Sequence, residues 1–239
     1  MSSGRTNVEA FNRDASALGG YAYTATTRLS CRLATERSLQ AILEPDRFAD
    51  RSVVDMGCGD GHYAIRLWDS ARPRALTGVD AAPAAIAIAE QQKQQRPIRF
   101  AVADAHKLPF SDNSFDLALV QSILHHDDNP ADLIREAFRL APLILIHEPN
   151  GNNFGLKIIE KTSPYHREHG EKSYRSRQIT RWIRQAGGQI QWQRFAGFVP
   201  MFCPDWLAKT MKTAEPFIER IPGLRALACA VFVVVAARK

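Results

Sequence analysis

Between residues 51 and 148, short apolar runs alternate with stretches of helical periodicity, the pattern of a parallel α/β sheet. Residues 52–56, 75–79, 98–103, 115–121 and 143–147 read as five strands. Most are apolar without alternation, as expected of strands buried on both faces. Helices are predicted over 61–69, 83–94 and 129–140, with Pro83 at a first-turn position where its missing N–H costs nothing. Gly187–Gly188 ends a further helix over 176–186 and leads into an alternating strand at 189–196. A last apolar strand is expected at 228–236.

Three regions break this rhythm. Residues 149–175 form a long connection, of a length that is usually functional or disordered. Within 200–225, Leu207, Met211, Ala214, Ile218 and Ile221 recur at helical spacing with Lys209, Lys212 and Arg220 between them. The first 27 residues are expected to be loose, ahead of a helix over 28–43. The fold expected is α/β: a Rossmann-like, mostly parallel seven-stranded sheet flanked by helices, with a helical insertion before the last strand.

Composition narrows the class. With 45% hydrophobic and 23% charged residues, the 239-residue chain is suited to a folded core and not to wholesale disorder. No apolar run reaches the ~20 residues that cross a bilayer, and the N-terminal segment has no secretory apolar region. Cys31, Cys58, Cys203 and Cys229 are scattered without a CxxC spacing and read as free thiols of a cytoplasmic protein. The net charge of +6 is unevenly distributed: residues 1–150 carry 16 Lys and Arg against 19 Asp and Glu, whereas 151–239 carry 15 against 6. The positive charge therefore belongs to the C-terminal part and not to the whole molecule.

The strongest motif is Val53-Val54-Asp55-Met56-Gly57-Cys58-Gly59-Asp60-Gly61. A buried strand ends in an acid, and glycines then allow a tight turn before a helix whose N-terminus attracts an anion. A plain glycine turn is the competing reading. The spacing is GxGxG, with His62 where a dinucleotide fingerprint has its third glycine, which disfavours a nicotinamide-dependent oxidoreductase. Asp80 stands at the end of the second strand, where an acid accepts ribose hydroxyls. Asp104, followed by Ala105, ends the third, where a carboxylate is able to accept the exocyclic amine of a base. Together they point to an adenosine-containing ligand at the carboxyl ends of parallel strands.

With VVDMGCGDG, GVDAAPAAI, ADAHKLPFSDNSFDLALVQSILHHDDNP and LILIHEP in order over residues 50–150, the chain resembles class I S-adenosylmethionine-dependent methyltransferases. The similarity is to the small-molecule branch that includes ubiquinone- and menaquinone-pathway enzymes. The resemblance implies S-adenosylmethionine as cofactor and a Gly57, Gly59 and Gly61 loop around its methionine part, with Asp55 beneath. It also implies Asp80 and Ala81 at the ribose, Asp104 and Ala105 at the adenine, and Gln121 beside the sulfonium. Residues 1–239 are then one domain: a cap over 1–45, a cofactor-binding core over 46–148, and an acceptor-side lid, insertion and final strands over 149–239.

Methyl transfer is an in-line displacement that needs mainly positioning and desolvation, and a base only where the acceptor must lose a proton. His126 and Glu148 are the candidate catalytic groups, beside His125; capping of the following turn is the competing role for the histidine pair. His147 is expected to end a buried strand and make a structural hydrogen bond. Tyr165, His166 and Tyr174 in the long connection, and Trp206 in the insertion, are candidate acceptor contacts. His166 and His169 lack the further ligands of a metal site, so no metal is expected. Tyr21 and Tyr23 suit either a cover over the cofactor or packing on the first helix. The expected partners are a small-molecule or lipid-linked acceptor, with peripheral contact to an anionic membrane as an option and the oligomeric state open. A nucleic-acid methyltransferase is the main alternative. It is weakened by Gln121-Ser122-Ile123-Leu124 at the end of the fourth strand, where base-amine enzymes carry an Asn/Asp-Pro-Pro-Tyr type of motif. The absence of an RNA-binding appendage weakens it further. A non-catalytic binding protein on the same fold is the remaining reading.

Overall fold

The computed structural model describes residues 3–21, 24, 27–163, 172–201 and 203–238. Seven strands form one sheet: β1 (Ser52–Met56), β2 (Ala75–Asp80), β3 (Arg99–Val102), β4 (Leu117–Gln121), β5 (Leu143–Pro149), β6 (Gly188–Ala196) and β7 (Val231–Arg238). Their order is β3-β2-β1-β4-β5-β7-β6. The first five run parallel, and β7 lies antiparallel between β5 and β6. The order reverses between β1 and β4, which opens a crevice at their carboxyl ends, the place where such sheets take ligands.

Alternation along each strand divides the core in two. Val54, Met56, Val120, Ile144 and Ile146 face one side, under α5 (Pro130–Leu140) and α7 (Ser176–Gln185). Val53, Leu117, Leu119, Leu145 and Val233 face the other, under α2 (Leu29–Leu43) and α3 (His62–Ala71). Both faces are covered, which explains the unbroken apolar strands. As predicted, α4 (Pro83–Gln92) starts at its proline.

The structure departs from the sequence pattern in three places. The N-terminal segment is not loose: α1 (Ser3–Leu18) packs on α4, and Asn12 Oδ1 accepts the Ala84 N–H at 3.0 Å. This contact meets one of the orphan donors of the first turn of α4. The connection at 149–175 contains α6 (Phe154–Thr162), capped by the Asn153 side chain, which accepts Leu156 N–H at 3.1 Å. No residue of α6 is buried, so it has no inward apolar stripe to betray it. The amphipathic stretch breaks at Pro222 into α8 (Asp205–Arg220) and α9 (Pro222–Ala228).

Buried charge fastens α8 to the sheet. Glu219 accepts both Arg37 Nε and Nη2, at 2.8 and 2.6 Å, together with Arg194 Nη2 and the Gly197 N–H, each at 2.9 Å. Burial works to raise the Glu219 carboxyl, but the hydrogen bonds from Arg37 and Gly197 outweigh it and hold the group below its ordinary range. The stabilisation is therefore complete above the ordinary glutamate pKa and is lost as pH falls through the lowered folded value. Arg37 and Arg194 share Glu44 as a second anion, at 3.0 and 2.8 Å, so Glu219→Gln removes one of two carboxylates and is expected to cost about 1–3 kcal/mol in urea unfolding at pH 7. A variant as stable as the parent would show that α8 is held by packing alone.

Candidate functional site

The carboxyl ends of β1, β2 and β5 carry Asp55, Asp80 and Glu148, and the loop after β1 carries Asp60. The Gly57 and Cys58 N–H groups both donate to Val79 O, at 2.8 and 3.0 Å, and staple the loop after β1 to β2. Gly57 and Gly59 have φ of +79° and +55°, in the left-handed region. A Cβ on Gly59 would lie 2.5 Å from the Tyr21 ring, so the chain's own N-terminal arm roofs the loop. That arm is tied down by Asp60, whose Oδ2 accepts the Tyr21 N–H at 3.1 Å and the Thr24 hydroxyl at 2.5 Å. Asp60 was not singled out from sequence; its signal is a charged residue inside an otherwise small, buried loop. The Tyr21 ring also meets Phe11 of α1 edge-on at 5.6 Å, so it packs on a helix other than the one predicted over 28–43. Tyr23 lies outside the described residues.

Asp80 bridges two segments. Its Oδ2 accepts the Gly59 N–H at 2.9 Å and its Oδ1 the Ala82 N–H at 2.8 Å. Ala81 beside it is exposed. Desolvation raises the Asp80 carboxyl, opposed by these backbone donors. Gly61 precedes α3 and packs against Ala89. Asp104 is exposed beyond β3 and folds its Oδ1 onto the His106 N–H at 2.9 Å, while Ala105 is buried. Gln121 is buried at the end of β4, paired in register with His147.

Asp55 differs from its neighbours. It is 1% exposed, and neither carboxylate oxygen has a hydrogen-bond partner. Burial, aided by the charge of Asp80, pushes its carboxyl up to about 7. An unpaired buried carboxylate under a glycine loop is suited to a cationic ligand group.

Beyond β5 the candidate catalytic groups separate. Glu148, 1% exposed, accepts Ile123 N–H and Leu124 N–H with Oε1, each at 2.8 Å, and its Oε2 lies 2.7 Å from His125 Nδ1. The carboxylate thus holds the turn Leu124–His126 and the first histidine of the pair. His126 stacks obliquely on His125, with ring centroids 3.8 Å apart, and meets Phe11 of α1 edge-on at 4.8 Å. His147 does not end its strand, because β5 pairs on with β7 through Glu148 and Pro149; the expected hydrogen bond is absent, since neither ring nitrogen has a partner among the described residues, and burial lowers its pKa to about 4. Tyr174 is half-buried near this turn, with its hydroxyl donating to Asp127 O at 3.0 Å. Trp206 is not at the crevice wall: its side chain is 70% exposed on the outer face of α8. Tyr165 and His166 lie outside the described residues.

Residues 54–142 match a family described as a methyltransferase domain, Methyltransf_11. The chain is similar to 27-O-demethylrifamycin SV methyltransferase of Amycolatopsis mediterranei, 35% identical over 127 residues, covering 48% of this chain and 41% of that protein. The match thus spans about two-fifths of that relative. Among solved structures, a S-adenosylmethionine-dependent methyltransferase of Thermotoga maritima described as a possible histamine N-methyltransferase superposes with a TM-score of 0.69. The two are 18% identical, covering 98% of this chain and 100% of that one. The [4+2]-cyclase SpnF has the same fold, with a TM-score of 0.62 and 20% identity, covering 84% of this chain and 80% of that one. The fold therefore accommodates more than one chemistry.

The Asp55 carboxyl lies above its ordinary 3.8, so it opposes folding increasingly as pH rises from about 4 to about 7. Asp55→Asn is expected to raise unfolding free energy at pH 8 by about 1–2 kcal/mol. This is less than the ~4 kcal/mol of the whole shift, because the new amide also lacks partners. At pH 4 the gain disappears. Urea unfolding at the two pH values checks this; equal gains would mean that no buried charge is removed.

Proposed function

Since residues 54–142 form a methyltransferase domain, we propose that this chain transfers a methyl group from S-adenosylmethionine to a small-molecule or lipid-like acceptor. The observation that carries the reading is Asp55, a buried carboxylate with no partner below a glycine loop, next to Asp80 aligned by two backbone N–H groups. These residues fit the donor: Asp55 answers its cationic methionine end, and Asp80, with Ala81, meets the ribose. Asp104 has Oδ2 left over from its own turn for the adenine amine, beside Ala105, and Gln121 stands by the sulfonium. When bound, S-adenosylmethionine supplies an electrophilic methyl carbon. The protein's part is then to hold the acceptor in line with that carbon and keep water away, with Tyr21 as part of the roof. The reading treats residues 1–239 as one unit, in which 1–45 closes over the donor, 46–148 holds it and 149–239 faces the acceptor.

For an acceptor that must lose a proton, the imidazole pair His125 and His126 is the base. Glu148 acts through it as a positioning residue, because its oxygens are already engaged by two N–H groups and His125. The name of the rifamycin relative supports a small-molecule acceptor.

Four outcomes are expected. Calorimetric titration yields binding of S-adenosylhomocysteine and none of NADH; NADH alone binding would overturn the proposal. Asp80→Ala weakens S-adenosylhomocysteine by about 1–3 kcal/mol, through loss of a charged acceptor; unchanged affinity would move the ribose elsewhere. Glu148→Gln lowers kcat about 100-fold and leaves donor affinity within about twofold; a parallel loss of affinity would assign Glu148 to donor binding. Incubation of separated lysate fractions with isotopically labelled methyl donor identifies the acceptor, with label in the RNA pool contradicting the acceptor class.

A further inference from the structure

Of the ten large hydrophobic side chains exposed among the described residues, nine lie between 154 and 227, so exposed apolar surface is concentrated on one part of the molecule. Phe154 and Ile158 stand on α6, Trp206 and Phe217 on α8, and Leu224 and Leu227 on α9. On α8 the positions 206, 210, 213 and 217 share one solvent side, while Ala208, Glu215 and Glu219 face inward. The start of α6 is clamped to the end of α9. Asn150 Nδ2 donates to Ala226 O at 3.0 Å and Cys229 O at 2.9 Å, and Asn153 Nδ2 donates to Ala228 O at 3.0 Å. Phe154 and Leu227 therefore flank one clamp. The pairing of Pro149 with Val231 sets these helices at the carboxyl edge of the sheet, beside Glu148.

The charges on this face have one sign. Lys161, Lys209 and Arg220 are exposed and Arg225 half-buried, and among the described residues no ion pair or hydrogen bond engages their side chains. The acids of the same elements are turned inward: Glu160 accepts Lys157 Nζ and the Ser173 N–H, Glu215 accepts the Phe198 N–H, and Glu219 holds Arg37. Asp205 is the one exposed acid on α6, α8 and α9. A second copy across a two-fold axis would set these cations against one another with little to neutralise them. An anionic lipid surface answers both the charge and the aromatic and aliphatic side chains.

We infer that the face formed by α6, α8 and α9 docks on the headgroup region of an anionic membrane, with Trp206 and Phe217 entering the interface and Lys209 and Arg220 meeting lipid phosphates. Such docking would bring the crevice to the plane in which a lipid-like acceptor lies, and it requires neither donor nor acceptor to be bound. Its test is thus separate from that of methyl transfer.

The full chain is floated with phosphatidylcholine vesicles with and without phosphatidylglycerol, at low and high salt. It is expected to float with the anionic vesicles at low salt and to be released as salt rises. Lys209→Gln with Arg220→Gln should lower that binding by at least about tenfold. Trp206→Ser with Phe217→Ser should abolish it, while thermal unfolding and S-adenosylhomocysteine binding stay unchanged, since these side chains point outward. A parent protein that stays with the unbound fraction at low salt overturns the inference. Flotation that survives Trp206→Ser with Phe217→Ser also overturns it, as does light scattering that finds a dimer dissociated by that variant.

Discussion

The bridge made by Asp80 organises everything at the carboxyl edge. One carboxylate accepts an N–H from the glycine loop after β1 and another from the entrance to α4. It thereby fixes the distance between two loops that belong to different βα units. The helix it anchors is the one on which α1 packs, and α1 in turn brings Phe11 to Tyr21 and His126. A change at Asp80 would therefore propagate through α4 and α1 to the roof of the crevice as well as to any ribose. Charge-assisted bonds to backbone N–H groups are strong enough for that role.

The carboxylates of this edge fall into two kinds. Asp60, Asp80 and Glu148 accept backbone donors and shape loops. Asp55 accepts nothing, and burial pushes its carboxyl up to about 7. Retaining one unsatisfied acid among satisfied ones is costly for a protein that binds nothing there, and useful for one whose ligand carries a positive charge.

Much of the core was legible in the sequence because its strands are buried on both faces. Residues 52–56 were read with both boundaries as observed, since a continuous apolar run meets a glycine turn directly. The helix at α4 was legible from Pro83. What escaped was structure made by tertiary contact. α1 carries Val8, Phe11, Ala15 and Leu18 at helical spacing, but it gains its place by packing on α4, where Asn12 accepts the Ala84 N–H, and α6 has no fully buried residue. At the site, the residue types and strand ends were legible, and the partnerships were not. Sequence cannot say that Glu148 holds His125 and not His126, or that Trp206 turns outward, because both depend on the phase of a short helix against its neighbours.

The position of β7 bears on how the chain comes to be folded. Residues 231–238 insert between β5 and β6, which both precede them in sequence. Until that stretch has left the ribosome, the facing edges of β5 and β6 have no strand to pair with, and β6 has no place in the sheet at all. A nascent chain thus carries the parallel half of its sheet with an unpaired apolar border for the time needed to synthesise nearly ninety further residues after Pro149, several seconds at ordinary elongation rates. Closure of the sheet is a late event, and the interval before it is when the chain is most exposed to association through its strand edges.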